Sequence, residues 1–223
     1  RSRGGLVSQG WKDSADSVMH RDGALAEGPI ALCEVQAYAY AARIAAARIA
    51  RALGHDARAQ RLEQRAEEVR AEFDRAFWSD ELGTYALALD GDKRQCAVRA
   101  SNAGHTLFAG IAPPARAELV ASSLMSPHMF SGWGIRTLDD RELRYNPMAY
   151  HNGSVWPHDN AMAALGLARY GFREHALALF EAMYRASVHF DLHRMPELFC
   201  GFERRQRPRR QRPRRYRAGR RLR

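Results

Sequence analysis

Small and apolar residues return every three or four positions over two neighbouring stretches near the start of the chain, residues 29–53 and 56–77. Such a period is typical of an amphipathic helix, and the opposite face of the second stretch is charged. Gly54 ends the first stretch, and Asp56 is a residue type that caps the start of a helix. The pattern therefore predicts two helices that pack as an antiparallel hairpin, because their connection is very short.

The same pattern recurs twice, which predicts further helices at residues 102–112, 114–125, 157–170 and 172–188. Prolines near the start of two of these stretches fit the first turn of a helix, where a missing N–H costs nothing. A turn-rich stretch around Gly83 predicts a short β-hairpin between the first and second helical pairs. Repeated helical pairs predict an all-α fold of the α/α toroid kind, with long loops between the pairs.

Positive charge is concentrated at the C-terminal end of the chain. The sequence has 35 basic and 25 acidic side chains, and residues 204–223 hold twelve of the arginines and no acid. This division predicts a nearly neutral folded domain at 1–203 and a disordered Arg-rich tail at 204–223. The tail lacks an apolar period, which favours a frameshift or a mis-called gene end over the rival interpretation, a tail that binds nucleic acid.

Cysteine usage and hydropathy indicate the compartment. Cys33, Cys96 and Cys200 are far apart and form neither a metal motif nor an even disulfide framework. No apolar run approaches the roughly 18 residues that span a bilayer. We therefore expect a cytoplasmic protein with no membrane partner and, given its neutral body, no nucleic-acid partner.

The first of three long loops, residues 8–28, brings two carboxylates close to an aromatic ring. Asp13 and Asp16 are three positions apart and follow Trp11 and Lys12. An aromatic ring offers an apolar platform, and carboxyl groups can hydrogen-bond hydroxyls or donate a proton. The competing interpretation is a helix cap, because Asp and Ser satisfy free backbone N–H groups.

The second loop, residues 130–153, runs into a cluster dense in polar and aromatic groups, which is typical of a sugar-binding lining. The cluster includes Tyr150, His151, Asn152, Trp156 and Asp159. It also has features of a helix N-terminus, since an acid there favours the helix dipole, and the two interpretations are compatible. The histidine spacing does not match a metal motif, so no metal is predicted.

The third loop, residues 189–203, places Glu197 among apolar neighbours, where desolvation and nearby charges could tune a carboxyl pKa. Glycoside hydrolysis needs an acid and a second carboxylate on opposite sides of the scissile bond. Two carboxylate-bearing loops with an aromatic, amide-rich wall between them fit that chemistry.

Five stretches carry a family resemblance: QGWKDS at 9–14, SNAGH at 101–105, SGWGIRTL at 131–138, YHNGSVWPHDN at 150–160 and PELFCGF at 196–202. Taken in order, they resemble the C-terminal catalytic domain of bacterial amylo-α-1,6-glucosidases, or glycogen-debranching-like proteins, of the six-hairpin glycosidase superfamily. The resemblance spans roughly residues 5–203.

This resemblance implies an (α/α)6 barrel that hydrolyses glucosidic bonds of oligo- or polysaccharides with inversion, without metal or organic cofactor. Glu197 then corresponds to the general base and either Asp13 or Asp16 to the general acid, with the carboxyl groups about 6.5–9.5 Å apart. The implied substrate-binding residues are Trp11, Lys12, His105, Trp133, Tyr150, His151, Asn152, Trp156 and Asp159.

The predicted helices number six to eight, whereas a complete (α/α)6 barrel has twelve. We therefore expect an incomplete toroid, residues 1–203, and a truncated fragment of the enzyme. The alternative from another functional class is a non-catalytic carbohydrate-binding or scaffold protein on the same fold.

Overall fold

The computed structural model describes residues 9–205 and is built mainly of helices. These are α1 (Cys33–Ala52), α2 (Asp56–Phe77), α3 (Asn102–Ala109), α4 (Pro114–Leu124), α5 (Pro157–Arg169) and α6 (Arg173–Ser187). All six predicted helices are present, which confirms the all-α prediction. Apart from Arg204 and Arg205, the predicted Arg-rich tail lies outside the described residues.

The helices form two layers. Consecutive helices pack as the pairs α1–α2, α3–α4 and α5–α6, while α3 also packs against both α1 and α5. The odd-numbered helices therefore make an inner layer and the even-numbered helices an outer one, which is the arrangement of an α/α toroid. Small residues permit the close approach of the inner helices: a Cβ on Gly166 of α5 would lie 2.6 Å from the backbone nitrogen of Phe108 in α3.

Several predicted helix boundaries were wrong by a few residues. Helix α1 begins at Cys33 rather than near residue 29, because Ala31–Leu32 forms a short strand, β1, instead. Helix α3 ends at Ala109, where Gly110 adopts a left-handed conformation with φ of 76°. His55 occupies the N-cap position expected for Asp56, which instead lies in the first turn of α2, where its charge still favours the helix dipole.

Within residues 9–205, four two-residue strands lie in the connection between α2 and α3, and a fifth, β1, directly precedes α1. Strand β1 pairs antiparallel with β4 (Ala88–Leu89), which pairs with β5 (Gln95–Cys96). Strands β2 (Trp78–Ser79) and β3 (Thr84–Tyr85) form the predicted hairpin. These strands bury Trp78 and Tyr85 against the aromatic rings of α2.

Two single β-bridges join the long loops at the end of the toroid where α5 begins. Val155 bridges to Arg136 on one side and to Phe199 on the other. The second and third loops of the sequence analysis are thereby fixed to each other.

None of the helices described combines the length and apolarity needed to cross a membrane. The three cysteines are free thiols; Cys33 and Cys96 are buried and Cys200 is exposed.

Candidate active site

Five aromatic rings form a wall at this end of the toroid, and Trp11 lies at its centre. The Trp11 ring stacks on His105, with centroids 5.8 Å apart and planes 4° from parallel. It also makes edge contacts with His151 and Trp156 at 5.5 Å and with His158 at 4.9 Å. We call these five rings the aromatic wall; the sequence analysis predicted all of them except His158 as substrate-binding residues.

The first loop is fastened to this wall by side-chain hydrogen bonds. Ser14 Oγ lies 2.5 Å from His151 Nδ1. The amide of Asn152 donates to the backbone oxygen of Asp16 at 3.1 Å and to its carboxylate at 3.3 Å. Both Asp13 and Asp16 remain exposed, so the loop presents two accessible carboxylates beside the wall.

Glu197 reaches the same wall from the third loop. The Tyr150 hydroxyl donates a 2.7 Å hydrogen bond to Glu197 Oε1. The Tyr150 ring in turn makes edge contacts with His151 at 4.6 Å and Trp156 at 4.8 Å. The hydrogen bond to Glu197 is the largest of the effects that raise the pKa of Tyr150, followed by desolvation and the charges of Glu197 and Asp13. Glu197 is itself exposed.

The backbone around Gly201 fixes the position of the Glu197 loop. The Gly201 N–H donates to the Pro147 carbonyl at 2.8 Å, and its own carbonyl accepts from Arg136 Nε at 2.7 Å. A Cβ at Gly201 would lie 1.8 Å from the Gly153 carbonyl oxygen, so only glycine fits there. Together with the bridge between Val155 and Phe199, these bonds hold the loop against the wall.

The charges of the three predicted catalytic carboxylates all act on His151. Burial, followed by the charge of Lys12, lowers the pKa of His151 to about 4. The charges of Asp13, Asp16 and Glu197 act in the opposite direction. The imidazole is therefore neutral near pH 7, and carboxylates from two distant parts of the sequence lie around it.

Three residues predicted to bind substrate, Lys12, His105 and Asp159, are almost completely buried. Lys12 Nζ donates to the Thr137 carbonyl at 2.6 Å, and His105 Nε2 lies 2.6 Å from Asp159 Oδ1. Because these three side chains are buried, they are better placed to support the aromatic wall than to contact a sugar. His151, Asn152 and Trp156 are also buried, whereas Tyr150 is about half exposed.

Trp133, also predicted to bind substrate, lies in a separate apolar cleft of about 270 Å³. Its ring makes an edge contact with His189 at 5.4 Å, and the Arg204 guanidinium lies 5.5 Å from its centroid. The other residues lining the cleft are Ala186, Phe190, Phe199, Cys200 and Phe202. The structure thus does not place Trp133 in the aromatic wall.

Among residues 9–205, three side chains of the kinds that bind metal ions lie close together. Atoms of His128, Asp139 and Asp140 lie within 4.8 Å of one another. Arg141 already forms a bidentate ion pair with Asp139, and Arg136 lies 3.6 Å from Asp140. These guanidinium groups neutralise the carboxylates, so the cluster is better explained as an ion-pair network than as a cation site.

Sequence reasoning missed Glu34 and Tyr38, which lie below the wall in α1. Glu34 is fully buried, and the Tyr38 hydroxyl hydrogen-bonds His105 Nδ1. Polar side chains within a helix rich in small apolar residues were the available signal. Tyr38 contacts His105 of α3, and the Lys12 charge that acts with Glu34 comes from the first loop, so the periodicity of α1 could not identify these relations.

The sequence profile of the mannosylglycerate hydrolase MGH1-like glycoside hydrolase domain matches residues 5–197. Among solved structures, the fold is similar to that of the GH63 mannosylglycerate hydrolase from Thermus thermophilus in complex with Tris. That match has a TM-score of 0.67 and 24% identity, and covers 78% of this chain and 40% of the other. Neutral trehalase Nth1 from Saccharomyces cerevisiae matches with a TM-score of 0.67 and 15% identity, over 84% and 37% of the two chains.

A structure described as a sialidase matches with a TM-score of 0.73 and 15% identity, over 91% of this chain and 20% of that one. No curated protein sequence matches at a significant level. The match to the solved mannosylglycerate hydrolase covers about two fifths of the length of that enzyme. The structural likeness supports the helical toroid.

Proposed function

The chain belongs to the mannosylglycerate hydrolase MGH1-like glycoside hydrolase domain family, and we propose that its two exposed carboxylate loops carry the acid and base of an inverting glycosidase. The observation that carries this proposal is that both loops reach His151: Ser14 of the first loop hydrogen-bonds it, and Glu197 accepts from Tyr150, whose ring contacts it. Glycoside hydrolysis with two carboxylates requires such a convergence of acid and base.

Glu197 is the general base in this proposal. One of its oxygens, Oε1, accepts the Tyr150 hydrogen bond, which fixes the orientation of the carboxylate. Its other oxygen is then available to accept a proton from a water molecule that attacks the anomeric carbon. The water's oxygen forms the new bond as the leaving-group oxygen departs.

Asp13 is the general acid that protonates the departing oxygen. Asp16 accepts a hydrogen bond from Asn152, which favours a structural role for Asp16 in the loop. The Asp13 charge, by contrast, is among the causes that raise the pKa of Tyr150, the hydrogen-bond partner of Glu197. We therefore assign the acid to Asp13.

The aromatic wall supplies a platform for a sugar ring. Pyranose rings present apolar C–H faces that pack on aromatic side chains, while their hydroxyl groups require hydrogen-bonding partners. Exposed Tyr150 and His158 and partly exposed Trp11 are the accessible rings of this region. Neutral His151 can hydrogen-bond without adding a charge that would compete with the catalytic proton.

Two substrate classes follow from different observations. The family description and the Thermus thermophilus structure name mannosylglycerate hydrolases, which favours a small glycoside of mannosylglycerate type. The five sequence motifs resemble those of amylo-α-1,6-glucosidases, which favours the branch points of an α-glucan. Two assays distinguish these substrate classes: release of glycerate from mannosylglycerate, and release of glucose from a branched α-glucan.

Asp13→Asn and Glu197→Gln variants test the assignment of acid and base, with Asp16→Asn as the matched control. Each catalytic variant should lose about 10²–10⁴-fold in kcat on the natural glycoside, because one proton transfer is no longer assisted. An aryl glycoside with a good leaving group needs little protonation, so Asp13→Asn should retain activity on it. Glu197→Gln should lose activity on both substrates and regain it with azide, a nucleophile that needs no base.

Asp16→Asn should retain most of its activity on both substrates. If Asp16→Asn shows the selective loss instead, Asp16 rather than Asp13 is the acid. If the folded wild type hydrolyses no glycoside, and the wild type and Glu197→Gln bind sugars equally well, the non-catalytic alternative replaces the proposal.

We further propose residues 1–203 as one glycosidase-like unit, since the family match extends to residue 197. A cytoplasmic location is supported by the three free thiols.

A further inference from the structure

Lys12 is a cation enclosed in the protein directly behind the candidate site. It lies in sequence between Trp11 of the aromatic wall and the proposed acid Asp13, and it is only 2% exposed. Its Nζ donates to the Thr137 carbonyl at 2.6 Å and lies 5.2 Å from the centroid of the Trp11 ring. Burying an ammonium group is costly unless its neighbours compensate for the lost water.

The compensating groups are two carboxylates on different helices. Glu34 near the start of α1 is 0% exposed, and Asp159 in the first turn of α5 is 1% exposed. Within residues 9–205, Glu34 Oε1 and Asp159 Oδ2 have no hydrogen-bond partner. An ammonium has three donors, of which the Thr137 carbonyl takes one. The charges of both carboxylates act on Lys12 and favour its ammonium form, while Asp159 Oδ1 also lies 2.6 Å from His105 Nε2.

We propose that Lys12 is a positioning residue of this site: its buried ammonium, bonded to the Thr137 carbonyl and lying against the Trp11 ring, fixes Trp11 and thereby directs Asp13. The fixed position of the ammonium ties the first loop to α1 and α5 together. The catalytic part of this role rests on the proposed function, whereas its structural part can be measured without turnover.

The protonation state of Lys12 makes this arrangement sensitive to pH. Burial lowers the pKa of Lys12 to about 8, although Asp159, Glu34 and Cys33 act in the opposite direction. Above that pH the amine is neutral, and its attraction to the two carboxylates is lost. The titratable groups that face this region are Cys33, Glu34 and Tyr38 from α1, His105 from α3, His151 from the second loop and Asp159 from α5.

The chain contains only two lysines, which permits a direct measurement. Protein labelled with 15N-lysine and 15N-tryptophan should give two Nζ signals, from Lys12 and the exposed Lys93. Lys93→Arg removes the Lys93 signal and so assigns the remaining Nζ signal to Lys12. Trp11→Phe assigns the Trp11 indole signal. We expect the Lys12 signal to titrate near pH 8 and the Trp11 indole signal to move with the same midpoint. A Trp11 signal that stays fixed while Lys12 titrates would overturn the proposal.

Two substitutions separate positioning from a general structural effect. Lys12→Met should shift the Trp11 signal at every pH and remove the transition near pH 8, while the other three indole signals show that the fold is intact. Lys12→Arg retains the charge and should restore much of the wild-type Trp11 environment without a transition up to about pH 10. If Lys12→Met does not fold, the wild-type and Lys12→Arg titrations decide the question alone.

Activity provides the second readout where turnover is found. Lys12→Met should lower kcat by about 10–100-fold with little change in KM, because a small displacement of a catalytic group has this effect. Unchanged kcat in a folded Lys12→Met variant would refute the positioning role in catalysis. Coupled NMR titrations in a protein without hydrolase activity would refute the proposed function and leave the structural role of Lys12 supported.

Discussion

The hydrogen bond between Tyr150 and Glu197 connects the aromatic wall to the proposed general base through a single side chain. Tyr150 has an exposed hydroxyl end, while its ring is held by edge contacts to His151 and Trp156. The wall therefore determines where the hydroxyl lies, and the hydroxyl determines how Glu197 Oε1 is oriented. Removing only the hydroxyl leaves the ring contacts in place.

Tyr150→Phe should therefore lower kcat/KM by about tenfold and leave the thermal unfolding temperature nearly unchanged. A hydrogen bond to a charged group contributes about 1.5–3 kcal/mol, and solvent access at Tyr150 favours the lower end of that range. Steady-state kinetics on the preferred glycoside measures the effect. Tyr184→Phe, which alters an exposed tyrosine of α6, is the matched control and should change neither quantity.

The sequence identified the exposed carboxylates and the rings beside them, because short motifs place them next to one another. Trp11, Asp13 and Glu197 lie in motifs that a reader can find without a structure. Glu34 and Tyr38 could not be found in this way, since their relation to Lys12 and His105 depends on packing between separate helices. The carboxyl-to-carboxyl distance of about 6.5–9.5 Å stays a prediction.

Among the structural elements, the helices could be predicted because their apolar stripes and their Gly and Pro boundaries agree. The errors lie at their ends, where tertiary pairing overrides the local pattern. Ala31–Leu32 joins β4 instead of α1, and the predicted apolar positions Ile49 and Leu53 are 62% and 67% exposed. Periodicity shows that a face is apolar, but it does not show what covers that face.

Gly166 provides a test of the close packing between α3 and α5. Gly166→Ala gains about 1 kcal/mol in helix propensity. The added Cβ would lie 2.6 Å from the Phe108 nitrogen and 2.7 Å from Leu107 Cβ. Overpacking of this kind costs about 1–3 kcal/mol, so we expect a net loss in the free energy of unfolding.

Urea denaturation measures this difference, and Ala168→Gly is the reciprocal control. Ala168 is an exposed residue of the same helix, so its replacement should cost only about 1 kcal/mol in propensity. A Gly166→Ala variant more stable than the wild type would show that the two helices can move apart without penalty.

At the scale of the whole molecule, residues 9–205 form an arc of three helical hairpins, half the number in a complete (α/α)6 toroid. Both proposed catalytic loops lie at one end of this arc, where the bridges from Val155 join the second and third loops. Helix α6 exposes Leu177, Phe180 and Tyr184, and contiguous apolar surface of this kind is typical of a contact surface. The chain thus contains both the proposed acid and the proposed base while leaving helical faces open.

The buried charge of Lys12 should also be visible in the stability of the whole molecule. Its pKa is lowered from 10.5 to about 8 by burial, so between these values the unfolded chain binds more protons than the folded one. The Lys12 contribution to the free energy of unfolding therefore rises with pH in this window. The ammonium holds its neighbours in place, but below pH 8 it does so at the cost of its own desolvation.

Other groups oppose this trend, because burial raises the pKa values of Cys33, Cys96 and Tyr38 above their usual range. Their contributions fall as pH rises through the values of the unfolded chain. Cys96 and Tyr38 contribute equally to the wild type and Lys12→Met, so the difference between the two proteins reports Lys12 together with its effect on Cys33. That difference should shift in favour of the wild type by on the order of 1 kcal/mol between about pH 7 and pH 9. Urea denaturation across this range measures it, and a difference independent of pH would mean that the buried lysine keeps an ordinary pKa.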